Sequence, residues 1–209
     1  MKVVTGSAAA QAIPLLAMLL LTRLVSIESI GIYNIWLAAL WITLVPATAR
    51  MEILLVSLPG AHERRLAFQI GCVSAFGVGL LTAVVALLLS PRIQTALPGW
   101  TPSAAILLGL GTWAMAMQTL WLARAVSQGA FGIVNRIRIT SAGLAALLQI
   151  ILAFLWPNGF VLMLAYVIGT ACASWAALAG LRHLPVTTPA PGEATNWRSL
   201  MRLHGKTPM

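Results

Sequence analysis

Six long apolar runs, separated by short polar or turn-forming breaks, set the pattern of the chain. They cover approximately residues 6–22, 31–55, 66–89, 104–123, 139–156 and 159–181. Each is close to the ~20 residues an α-helix needs to cross ~30 Å of hydrocarbon. No run shows the in/out alternation of a transmembrane β-strand, so helices rather than a barrel are predicted. Leu58-Pro59-Gly60 ends the second run, Ser90-Pro91 the third, and Trp156-Pro157-Asn158-Gly159 makes a tight hairpin between the fifth and sixth. Pro14 and Pro46 fall inside runs, where neighbouring helices serve the carbonyls they free. The expected fold class is all-α: a polytopic membrane protein in which about six transmembrane helices form one bundle over residues 1–183. Residues 184–209 read as a Pro-rich linker and a short basic amphipathic tail carrying Trp197, Arg198, Leu200, Met201 and Arg202. That tail is either an interfacial anchor or a frayed end.

Composition strengthens the membrane reading. Hydrophobic residues make up 60% of the chain and charged residues 8%, with a mean hydropathy of +0.93. A soluble domain carries about a quarter charged residues, and one core cannot hide this much apolar surface from water. Lys2 ahead of an apolar run resembles a signal peptide. However, Arg23 follows that run directly and Ser26-Ile27-Glu28 is a poor cleavage site, so the segment is expected to stay as the first helix.

The formal charge of +9 changes the picture through its placement. With the N-terminus in the cytoplasm, the inside holds Lys2, Arg64, Arg65, Arg124, Arg136, Arg138, Arg182, Arg198, Arg202 and Lys206. The outside holds Arg23 and Arg92. That asymmetry predicts a multi-pass protein of the bacterial inner membrane with both termini cytoplasmic, and it argues against nucleic acid as a partner. Trp100 and Trp156 fall at the outer boundary and Trp121 near the inner one; Trp36, Trp41, Trp113 and Trp175 lie deeper, where helix packing is the usual role.

Few polar groups interrupt the runs. Arg23 ends the first helix, and Arg50 and Glu52 close the second. By helical rise Arg50 lies ~28 Å from Gly31, at the inner boundary, where snorkelling to headgroups is the plain alternative to a binding role. Two positions apart on one helix, Arg50 and Glu52 do not face each other, so Glu52 is expected to pair with a basic group elsewhere. The deeper polar residues are amides: Gln11, Asn34, Gln69, Gln118 and Gln149. They either line a hydrated path or bond helices to one another. Small residues at Gly71/Ala75 and Gly169/Ala173 allow close helix approach and predict a packed bundle.

Catalytic chemistry is poorly supported. Walker A, His-Glu-x-x-His and Gly-x-Ser-x-Gly sequences are missing, the four acidic residues are all glutamates, and the three histidines lie outside the apolar runs. No enzyme activity, cofactor or metal site is expected. Cys72 and Cys172 read as small apolar residues inside helices.

Ordered motifs then accumulate: Gly6-Ser7-x-x-x-x-Gln11-Ala12-Ile13-Pro14, Leu21-Thr22-Arg23-Leu24, Ser26-x-Glu28-x-x-Gly31-x-Tyr33, Ala47-Thr48-Ala49-Arg50-x-Glu52 and Leu58-Pro59. Gly129-x-Phe131-x-x-x-x-Arg136-x-Arg138-Ile139, Leu147-Leu148-Gln149 and Tyr166-Val167-Ile168-Gly169 follow. Over residues 6–181 this resembles the N-terminal half of the polysaccharide-biosynthesis flippases, the O-antigen and lipid-linked oligosaccharide translocases of the multidrug/oligosaccharidyl-lipid/polysaccharide exporter superfamily. The resemblance implies transport of an undecaprenyl-pyrophosphate-linked oligosaccharide for surface polysaccharide such as lipopolysaccharide. It implies substrate-binding roles for Arg23, Arg50, Arg136 and Arg138, with Glu52 as a counter-charge and Gln11 and Gln149 alongside. Such flippases have twelve to fourteen helices in two halves, so a fragment, a split-gene half, a homodimer or a partner chain supplying the second half is implied here. The alternatives are a non-transporting membrane scaffold of a polysaccharide assembly complex and a small multidrug-type exporter.

Overall fold

The structure, a computed structural model, describes residues 2–181, with side chains from 11 to 179. Seven helices and no strand occur among the described residues: α1 (Lys2–Leu24), α2 (Ile27–Thr48), α3 (Met51–Ser57), α4 (Ala61–Ala96), α5 (Pro102–Ser127), α6 (Phe131–Leu155) and α7 (Gly159–Leu181). Five of them, α2 and α4 to α7, are long and apolar enough to cross a membrane. Helix α1 is long enough too, though its described apolar part is Gln11–Leu24. The chain is an all-α polytopic membrane protein. The expected linker and tail over 184–209 lie outside the described residues.

Local chemistry places most helix ends. Ser26 accepts a hydrogen bond from the Ser29 N–H and starts α2; Thr101, followed by Pro102, does the same for α5 through Ala104. Gly129, at φ +68°, turns the chain between α5 and α6. Asn158 Oδ1 accepts from the Val161 N–H at 3.0 Å and closes the expected hairpin into α7.

Three boundaries differ from the hydrophobic pattern. The second run is not one helix. Ala49 and Arg50 both adopt left-handed backbone, at φ 48° and 58°, so α2 stops at Thr48 and the short α3 begins at Met51. The third does not end at Ser90-Pro91: α4 runs on to Ala96 with Pro91 inside it. A proline there costs only the bond to the carbonyl one turn back, which a helix inside a bundle tolerates. The fifth begins at Phe131 rather than 139, which puts Arg136 and Arg138 on the first turns of α6 instead of in a loop.

Helix α5 occupies the centre, its small-residue face packed against α4, α2, α3 and α7. Helix α6 packs on α7 and carries α1 on its outer side. Glycine sets the closest crossings. A Cβ on Gly109 would sit 2.6 Å from the Gly79 carbonyl oxygen and 2.5 Å from Ala83 Cβ, and one on Gly169 would sit 2.7 Å from the Ala145 backbone. The expected packed bundle is therefore present, with Gly79/Gly109 joining the α4–α5 contact and Gly169/Ala145 the α6–α7 contact.

The charged groups separate to the two ends. The starts of α4 and α6, the α2–α3 junction and the end of α5 carry Arg50, Arg64, Arg65, Arg124, Arg136 and Arg138. The opposite end carries Arg23 and Arg92.

Candidate functional site

The interior between the Arg-rich end and the opposite end is aromatic and closed. Trp36 of α2 is fully buried, stacks on Tyr33 at 6.2 Å, meets Tyr166 of α7 edge-on at 5.9 Å, and donates Nε1–H to the Ala104 carbonyl at 3.2 Å. Gln149 of α6 is 7% exposed; its Nε2 donates to the Tyr33 hydroxyl at 2.9 Å and to the Leu162 carbonyl at 3.3 Å. One amide thereby ties α2, α6 and α7. Thr43 and Thr112 hydroxyls meet at 2.8 Å across the α2–α5 crossing. These groups satisfy one another inside the protein, as interhelical bonds do in membranes.

The other amides behave differently. Gln11, Asn34 and Gln69 are exposed on the outer surfaces of α1, α2 and α4, and none has a hydrogen-bond partner among the described residues. Asn34 lies about 10 Å along α2 from its start, and Gln11 about 20 Å back from the end of α1. Each would therefore face hydrocarbon in an isolated bundle, where an unbonded amide costs roughly 2–7 kcal/mol. The five amides do not gather around one path: Gln149 is spent in the core, Gln118 is half-buried on α5, and Gln11, Asn34 and Gln69 stand on the outside.

The arginines are also dispersed. Arg23 is exposed in the last turn of α1, at the opposite end from Arg50, Arg136 and Arg138. Arg50 is exposed at the α2–α3 break; Arg136 and Arg138 are exposed on α6, which packs mainly on α7 and α1. Glu52, in the first turn of α3, is half-buried with Oε2 unbonded, and no basic group pairs with it among the described residues. The ion pair expected for it is not formed among the described residues. Arg50, the residue before α3, adopts left-handed backbone and makes no side-chain cap hydrogen bond.

The best-built cationic position is Arg124, which the hydrophobic pattern marks only as an end charge. Its guanidinium lies 5.1 Å from the Phe68 ring centre and 5.4 Å from that of Trp121, and the two rings sit 4.7 Å apart. Beside it, Arg64 Nη1 donates to the Ser127 carbonyl at 3.0 Å and covers the end of α5. Trp121 is thus packed under an arginine near the end of α5. Trp36 packs as expected of a deep tryptophan, but Trp41, Trp113 and Trp175 lie on the outer surface, Trp175 being 74% exposed.

At the Arg-poor end an apolar cleft of about 470 Å³ lies between α2, α4 and α5. Ile35, Ala39, Ala86, Ile93 and Trp100 line it together with the exposed Arg92. No group of three or more His, Cys, Asp or Glu side chains able to hold a metal occurs among the described residues.

No protein-family model, curated protein or solved structure matches this chain.

Proposed function

We propose that the chain forms one wall of a translocase that carries an undecaprenyl-pyrophosphate-linked oligosaccharide across the bacterial inner membrane, its other wall coming from a second copy or a partner chain. The observation that supports this reading is the placement of the unbonded amides. The interior is closed by Trp36, Tyr33, Gln149 and Tyr166, whereas Gln11 and Asn34 stand outside at membrane depth. A polar path can then form only between this bundle and another, where amides bond sugar hydroxyls instead of facing lipid. The exposed guanidiniums of Arg50, Arg136 and Arg138 at one end and Arg23 at the other suit a pyrophosphate entering at one face and leaving at the other. With six described arginines at one end and two at the other, the Arg-rich end is cytoplasmic in this reading.

Complementation tests it. A strain lacking its own O-antigen flippase should regain surface polysaccharide when it expresses this chain together with the second half. Asn34→Leu or Arg50→Gln should abolish that rescue without lowering the amount of protein in the membrane. No rescue in the presence of the second half sinks the proposal. A non-transporting scaffold is the second reading, favoured by arginines that do not converge on one site. It expects single arginine substitutions to be silent, and Gly109→Val to disrupt the assembly.

A further inference from the structure

The apolar cleft at the Arg-poor end has the dimensions of a lipid site. Its residues on α4 run from Ala86 to Ala96, on α2 from Ile35 to Ala39, and on α5 reach Leu108. Measured by helical rise, it descends about 15 Å from the end of α4, which is the depth of one leaflet of a ~30 Å hydrocarbon core. It stops there. A partner helix would need a groove running the full thickness, whereas an acyl chain needs half of it. The concavity exists because Ala39, Ala86 and Ala96 are small where neighbouring positions carry leucine and isoleucine. At about 470 Å³ it lies within the ~300–1,000 Å³ span of ligand pockets.

Polarity gives the occupant a direction. The lining is apolar, and Arg92, which is exposed, is the one charged residue among those that line the cleft. Trp100, on the wall beside Arg92's helix end, is 4% exposed and its indole Nε1–H has no acceptor among the described residues. Ser90, two residues before Arg92, is 3% exposed with an unbonded Oγ. Buried polar groups without partners are uncommon, and of these two Trp100 belongs to the cleft wall.

We propose that this cleft binds one glycerophospholipid with an anionic headgroup, its acyl chain lying against Ala39 and Ala86 and its phosphate against Arg92. The bound lipid belongs to the structure whether or not the protein transports anything.

The test uses the full chain purified in mild detergent, with native mass spectrometry after addition of phosphatidylglycerol or phosphatidylcholine of matched acyl chains. The wild type should retain one phosphatidylglycerol at about tenfold higher occupancy than phosphatidylcholine, the ratio expected of one charge-assisted contact. Arg92→Gln, an exposed change, should erase that preference, while Arg65→Gln at the other end of α4 should keep it. Ala39→Phe, which fills the cleft, should lower retention of both lipids. Should that variant fail to fold, phosphatidylglycerol carrying a photoactivatable acyl chain gives an independent readout on the wild type, with cross-links expected at 35–39 and 86–100. Equal retention of the two lipids, an undiminished preference in Arg92→Gln, or cross-links confined to other surfaces each overturn the proposal. Retention of a polyprenyl phosphate in preference to phosphatidylglycerol overturns it as well.

Discussion

Gln149 and Asn34 are the same kind of group in opposite situations. Gln149 bonds Tyr33 and Leu162 in the core, whereas Asn34 has no partner among the described residues and faces outward. Replacing Gln149 by Leu leaves the Tyr33 hydroxyl without its donor and should destabilise the protein by about 0.5–2 kcal/mol in reversible unfolding. Asn34→Leu should leave stability equal or higher in the isolated chain, since it exchanges an unbonded amide for an apolar group facing lipid. The pair separates structure from function: the proposed translocase loses activity at Asn34 without losing stability there. Sequence alone reveals all five amides and sorts none of them. In a soluble helix the polar face marks the outside, but here lipid-facing and core-facing positions are both apolar. The neighbours of Gln149 and of Asn34 therefore look alike along the chain.

At the scale of single elements, the α2–α3 junction carries the sharpest test. Ala49 and Arg50 hold left-handed backbone, which costs an L-residue with a Cβ roughly 1–2 kcal/mol each. Ala49→Gly should stabilise the protein by about 0.5–1 kcal/mol, because glycine enters that region freely. Had the run 31–55 been one continuous helix, the same change would destabilise it by about 1 kcal/mol, so the sign of the shift in unfolding midpoint decides. Hydropathy missed this break because it contains no glycine and only Pro46 nearby, and because apolar residues continue on both sides. Glycine elsewhere divides just as cleanly. Gly109→Val drives a side chain into Ala83 and the Gly79 carbonyl and should cost about 2 kcal/mol or more, whereas Gly77→Leu meets nothing within 4 Å and should be nearly neutral. Both positions read as small residues in apolar helices; only the crossing partner distinguishes them.

For the whole molecule, the up-and-down order of the helices gathers the arginines at one end, and this feature was the most legible of all. Six described arginines against two follow directly from loop charge, because each crossing reverses the chain and the short connections hold most of the basic residues. The functional surface was less legible, since it depends on which helix faces are left uncovered, and that is settled by packing around α5. Orientation can be measured independently of any transport. In a variant with Cys72 and Cys172 replaced by alanine, single cysteines at Gln94 or Asn158 should react with a membrane-impermeant maleimide in spheroplasts whose inner membrane is intact. Cysteines at Arg65 or Gln128 should react only after that membrane is permeabilised. The reverse pattern would place Arg50, Arg136 and Arg138 on the outer face, where no lipid-linked precursor is delivered, and the translocase reading would lose the entry side on which its pyrophosphate contacts depend. Labelling at both ends without permeabilisation would mean that the chain inserts in two orientations. An antiparallel pair of such chains would then supply both walls of the cavity from one sequence, and Gln11 and Asn34 should cross-link to their own counterparts in the second copy.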